Sequence, residues 1–159
     1  MHVSRSLRPF VTAIAEAAAV DVEGRTVHRW RLAHEPGLTQ ERLEAVTAGY
    51  QRGSAALAWE LDGRGASVPA VGDLLVLDDA LGQPCAVVEV IERRVLPFGD
   101  VEEHFAADMG EGDLSLRHWR SVHWDAFARS AIEHGRTPDD TMPVVALRFE
   151  LVYPGAMGA

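Results

Sequence analysis

The stretch Gly110-Glu111-Gly112-Asp113-Leu114-Ser115-Leu116-Arg117-His118-Trp119-Arg120-Ser121-Val122-His123 organises the reading of this chain. It opens as a polar turn whose two glycines allow close backbone approach. It then switches to helical spacing: Leu116, Trp119, His123 and Phe127 fall on one stripe, with Arg120 at its edge. The helix runs from about Leu114 to His134, and Gly135 ends it. Asp113 is placed to cap its start. A helix start can bind an anion, but Glu111 and Asp113 would repel phosphate. The turn therefore caps itself or accepts hydrogen bonds from an amine-bearing base. His123 reads two ways: as a core histidine bonded to a backbone carbonyl, or, with Arg120, as a group facing a ligand cleft.

Upstream, residues 6 to 20 carry Leu7, Phe10, Val11, Ile14 and Ala18 at helical spacing, with Ser6 as a cap. Arg25 to Leu32 alternates, His28, Trp30 and Leu32 facing one way, and is expected to be a strand. Pro36-Gly37 breaks it. Thr39 is expected to cap the next helix, with Leu38 stapled on Leu43, and Gly49 stops it. Ser54 to Leu61 alternates again and predicts a strand with Leu57, Trp59 and Leu61 on one side. A loop at 62–67 precedes strands at Leu74 to Leu77 and Cys85 to Val95. Gly99-Asp100 is expected to start a short helix, Asp100 and Glu103 lying at capping-box spacing. Val144 to Tyr153 is the last strand, and the tail after Pro154 is expected to be loose.

Strands and helices do not alternate regularly, which argues against a doubly wound parallel sheet. The pattern predicts an α+β domain: a small, mostly antiparallel barrel or curled sheet with helices at its side.

The length, 159 residues, suits one domain. The balance is acidic, with 24 Asp and Glu against 15 basic residues, every one an arginine. No lysine is available as a base or Schiff-base former, and non-specific DNA binding is not expected of so acidic a chain. One cysteine, Cys85, precludes an internal disulfide and fits a cytoplasmic protein; it reads as a small hydrophobe. No apolar run approaches the roughly 18 residues of a membrane span, and the weak apolar run after Arg5 and Arg8 does not make a secretory signal.

His104, His118, His123 and His134 do not make a metal site: His118 and His123 lie on different helix faces, and no HExxH or Cys/His cluster is present. No metal and no cofactor is expected. Glu89, between Val87 and Ile91, is either a half-solvated edge residue or a cavity carboxylate with a raised pKa able to act as acid or base.

The run from Val71-Gly72-Asp73 through Gly82-Gln83-Pro84, the Phe98-Gly99-Asp100-Val101 turn, and the Gly110–Asp113 turn followed by Ser115-Leu116, Trp119-Arg120 and His123 resembles the ASCH domain family, in its single-domain bacterial branch. The resemblance spans about residues 38 to 153, ending on Arg148-Phe149-Glu150-Leu151-Val152. It implies a PUA-like β-barrel with a cleft beside it. It divides the chain into residues 1–37, a helix and strand packed on the barrel, an ASCH-like domain at 38–154 and a tail at 155–159.

The resemblance implies binding of RNA or of a nucleobase- or nucleoside-like ligand. Some relatives are amidohydrolases that deacylate N-acetylated cytidine, and one branch is a ribonuclease. In the hydrolases a G-x-K-x-x-T motif supplies a catalytic Lys and Thr, and a Glu before the helical segment completes the set. Here Gly49 matches the glycine, Gln51 stands in place of the lysine, Ser54 in place of the threonine and Met109 in place of the glutamate.

Three readings follow. The first is a binding domain lacking the deacylase chemistry, its ligand held by Gln51, Arg52, Ser54, Trp59, Asp113, Arg120 and His123, with Trp59 either a stacking platform or barrel core. The second is a hydrolase of acylated cytidine-type nucleosides using Ser54, with Glu89 or His123 as a replacement base. The third is an interaction module, a homodimer paired through the Arg25 to Arg31 strand.

Overall fold

The computed structural model describes residues 8–18, 25–32, 36–63, 68–110 and 113–154. The elements in chain order are α1 (Arg8–Ala18), β1 (Val27–Trp30), α2 (Thr39–Thr47), β2 (Gly53–Leu57), α3 (Ala58–Gly63), β3 (Leu74–Asp78), β4 (Pro84–Pro97), α4 (Glu103–Asp108), α5 (Leu116–Glu133) and β5 (Pro143–Tyr153). Single 3-10 turns at Pro36–Leu38 and Phe98–Asp100 precede α2 and α4.

The strands form one sheet in the order β1-β3-β4-β5-β2. β1 runs parallel to β3, and the other pairings are antiparallel. The sheet curls into a half-barrel, and one hydrogen bond measures the curl. Trp30 Nε1, on one edge strand, donates to Ser54 Oγ, on the other, at 2.8 Å. In a flat sheet of this order the two strands would lie roughly 19 Å apart, four strand spacings.

Alternation along the strands sends side chains to two packed faces. On the inner face Trp30, Leu75, Val88 and Leu147 meet Leu43 and Val46 of α2 and Leu61 of α3. The outer face has two covers. Val11 and Ile14 of α1 pack on Val27, Leu74 and Val76 at one end. At the other, α4 and α5 bring Phe105, Trp119 and Phe127 onto Ala55, Leu57 and Val144.

Four local expectations are corrected. The alternation at 54–61 does not continue as a strand: β2 ends at Leu57, and Trp59 and Leu61 lie on the helix α3. A short apolar run fits both periods, since Leu57 and Leu61 are also one helical turn apart. Thr39 is the first residue of α2, whose N-cap, Leu38, makes no side-chain bond, and Leu38 is exposed rather than stapled. Asp100 and Glu103 form no capping box; α4 begins at Glu103 behind Glu102, without a side-chain cap. Finally, Ser115 rather than Asp113 caps α5, accepting from His118 N at 3.1 Å. Asp113 acts one step earlier: its carboxylate accepts from Ser115 N at 2.9 Å. That turn holds Leu114 at a φ of 66°. Ser6, the loop at 64–67 and the tail 155–159 lie outside the described residues, as do Glu111 and Gly112.

Candidate functional site

The segment joining α2 to β2 carries the first of the chemically informative positions. Gly49, at a φ of 87°, turns the chain out of the helix. Tyr50 N and Gln51 N both donate back to Ala45 O, at 2.9 and 3.1 Å. Arg52 N then donates to Asp108 O at 2.6 Å, and Arg52 O accepts from Phe149 N at 3.0 Å. The end of α4 is thereby docked on the start of β2. Gly110, at a φ of 67°, closes the contact; a Cβ there would overlap the Tyr50 carbonyl oxygen.

Gln51 is 1% exposed. Its Nε2 donates to Gly53 O at 2.9 Å, which aims Oε1 the other way, toward Arg42 of α2. Arg42 Nη1 lies 3.5 Å from Gln51 Oε1 and 3.5 Å from Met109 O. The Met109 side chain is buried in the α4–α5 cluster, so only its carbonyl joins this corner. The chain therefore brings Gln51 and Met109 together through Arg42, a residue without a motif of its own. Tyr50, 76% exposed, stands beside them, also without a motif. A sequence signal existed only for Gln51 and Met109, through the family pattern. Arg52 is exposed, with Asp108 at 3.9 Å as its ion-pair partner.

The other named residues lie elsewhere. Ser54 is buried on the inner face with its hydroxyl bonded to Trp30. Glu89, on β4, pairs with Arg25. It aligns with Glu150 of β5, whereas Ser54 aligns with Leu147, so a whole strand and three positions of register separate them. His123 is buried under α5 on the outer face, its ring stacked on Trp119 at 4.7 Å. Arg120 Nη2 donates to Gly99 O at 2.9 Å, tying α5 to the turn after β4. Trp59 donates to Ser130 Oγ at 3.0 Å, and the Arg136 guanidinium sits 4.8 Å over its ring. Asp113 is exposed at the foot of α5, and its hydrogen bonds from Ser115 hold its carboxyl below the ordinary value of 3.8.

A separate open cleft of about 300 Å³ is lined by Arg29, Trp30, Arg31, Thr39 and the β3–β4 turn. Arg29 is committed there to Asp78 at 2.8 Å, while Arg31 is exposed. Cys85 is a poor nucleophile: partial burial, then the charges of Asp79 and Asp78, push its thiol pKa up. Among the described residues no group of three or more His, Cys, Asp or Glu side chains could hold a metal ion. No described helix is long and apolar enough to cross a membrane.

A curled, mixed five-stranded half-barrel flanked by helices, with a polar corner where the first barrel-side helix enters the sheet, defines a PUA-like α+β domain. The sequence matches the ASCH domain family over residues 28–153, and the chain belongs to that family. The match takes in β1, which the resemblance starting near residue 38 left out.

Two solved structures share the fold. One is an ASCH domain from Lactobacillus crispatus JV V101, with a TM-score of 0.82 and 24% identity over 96% of this chain and 98% of that one. The other is a protein from Enterococcus faecalis V583, with a TM-score of 0.74 and 19% identity over 93% and 88% of the two chains. No curated protein sequence matches the chain significantly.

Proposed function

We propose that this ASCH domain binds RNA or a nucleobase- or nucleoside-like ligand beside the barrel and does not carry out deacylation. The observation that supports this most is the state of the three positions that correspond to the Lys, Thr and Glu of the hydrolase motif. Gln51 is a neutral amide, the Ser54 hydroxyl is buried and bonded to Trp30, and Met109 contributes only a carbonyl. A hydroxyl nucleophile needs an adjacent base. Neither proposed replacement is adjacent: Glu89 is paired with Arg25, and His123 lies on the other face of the sheet. What the corner does offer is an exposed tyrosine ring and two guanidiniums, those of Arg42 and Arg52. Aromatic stacking beside positive charge is how single-stranded nucleic acid is held without sequence readout.

Calorimetric titration with nucleosides and short oligoribonucleotides tests the reading. Binding is expected, weakened about tenfold by Tyr50→Ala, as loss of one stacking partner implies. Acylated nucleosides should be bound without turnover. Hydrolysis that Ser54→Ala abolishes would instead establish the amidohydrolase reading.

Homodimerisation through β1 is the lesser reading. β1 is an edge strand of the sheet, but two of its cations, Arg25 just before it and Arg29 within it, already face Glu89 and Asp78 within the chain. A monomer by light scattering at high concentration excludes it.

A further inference from the structure

We infer that Arg42 is the anchor of this site and that it selects ligands carrying a phosphate group over the same ligands without one. The inference rests on the binding reading above and adds to it a residue and a ligand chemistry.

The argument starts from unused capacity. The Arg42 side chain is only 14% exposed. A partly buried guanidinium is held firmly only by short, well-aligned acceptors. Arg42 does not have them. Its contacts to Gln51 Oε1 and Met109 O are both 3.5 Å, beyond the usual range of an N–H···O bond. Its one ionic partner is Glu41, at 3.4 Å, and that carboxylate is 65% exposed. An exposed pair of this kind contributes little. The guanidinium thus holds more N–H donors than these contacts satisfy, and the rest are open to solvent and to a ligand.

The surroundings narrow the ligand. Nε2 of Gln51 is fixed on Gly53 O, so the amide cannot turn its donor outward, and Met109 contributes a carbonyl. The carboxylates nearest the corner, Glu41 and Asp108, are already paired with Arg42 and Arg52, and the charged donors it presents are those two guanidiniums. A ligand group that engages it productively must be rich in acceptor oxygens and negatively charged. Phosphate meets both conditions and matches the planar fork of arginine. A neutral base edge meets neither as well. The cation comes from the helix adjoining Gln51, and as arginine it cannot act as a base.

The test compares nucleoside 5′-monophosphates, the matching nucleosides and inorganic phosphate, titrated against wild type, Arg42→Met and Glu41→Gln. Wild type is expected to bind the nucleotide about tenfold or more tightly than the nucleoside, with a preference that fades as salt rises. Arg42→Met should bring nucleotide affinity down to nucleoside affinity and leave nucleoside binding in place. Glu41→Gln, a change at an exposed side chain, should tighten nucleotide binding by about twofold to threefold, because it removes the carboxylate that competes for the guanidinium. That variant keeps the test intact if Arg42→Met does not fold. Inorganic phosphate competing as well as the nucleotide would mean the anion alone is the ligand chemistry, which still supports the role of Arg42. Equal wild-type affinity for nucleotide and nucleoside, or a phosphate preference that survives Arg42→Met, overturns the inference and leaves the binding function standing. Binding of no nucleoside, nucleotide or phosphate overturns both.

Discussion

Helix α5 buries Trp119, His123 and Phe127 against Phe98 and Phe105 on the outer face of the sheet, whereas the α2–β2 corner buries an amide and most of an arginine side chain. The first region is rich in sequence motifs and is occupied by its own packing. Its rings contact one another at 4.7 to 6.5 Å, and its arginine holds a backbone carbonyl. The second region has few motifs, and its arginine is held only by long contacts. The difference separates two reasons for a distinctive residue pattern. The pattern on α5 is what a helix needs to cap, turn and dock on a sheet. The corner is distinctive only once α2, β2 and the end of α4 have been brought together.

Truncation at the centre of the α5 cluster should show the first region at its plainest. Phe127 is fully buried among Phe98, Trp119 and His123. Phe127→Ala should cost about 3–5 kcal/mol of stability through lost burial and the cavity left behind. Denaturant unfolding measures this, and nucleotide affinity per folded molecule should be unchanged. A loss of affinity at preserved stability would place the ligand under α5 and collapse the distinction between the regions.

Ser54 sharpens the comparison from the other side, because a hydrolase and a binding domain predict different things of it. The hydroxyl is buried and is the hydrogen-bond partner of Trp30 Nε1. Ser54→Ala leaves the buried indole N–H without its acceptor and should cost about 1–3 kcal/mol. Trp30→Phe removes the donor instead. The two changes should be non-additive in a double-mutant cycle, since each breaks the same bond between the two edge strands. Affinity for nucleotide should follow neither. Additive effects would mean that the bond contributes nothing to closing the half-barrel.

The fold was legible because long periodic segments dominate it. β4 and β5 run for 14 and 11 residues, and the stripe on α5 runs five helical turns. Where the pattern is short it misleads, as at Ala58–Gly63, whose Trp59 and Leu61 satisfy a strand and a helix equally. Caps were misplaced for a related reason. Asp113 and Ser115 are both good capping residues, and only the positive φ of Leu114 decides that the helix starts after Ser115. The site was legible only through the family pattern, which named Gln51, Ser54 and Met109. Arg42 and Tyr50 had no signal of their own. Arg42 lies in the middle of an amphipathic helix, where an arginine ordinarily reads as a solvated face. What makes it different is Gln51 Oε1 and Met109 O, which come from nine and 67 residues away.

The smallest expected effect concerns the turn that leads into α5, and it separates a structural carboxylate from a ligand-binding one. Asp113 accepts hydrogen bonds from Ser115, first the hydroxyl and then the backbone N–H, and these hold its pKa below 3.8. A folded-state pKa below the unfolded one gives stability that is present above the unfolded value and lost as pH falls through the folded value. The contribution therefore operates at neutral pH and disappears only at the acid end, below about pH 4. Asp113→Asn cannot titrate, so its melting temperature should fall less steeply than that of wild type across that acid range. Because the carboxylate is exposed, the difference at neutral pH should be small, within the scatter typical of surface substitutions. Nucleotide affinity should be the same in both proteins at neutral pH. If Asp113→Asn tightened nucleotide binding substantially, the carboxylate would be facing the bound phosphate, and the α5 start would belong to the same site as Arg42.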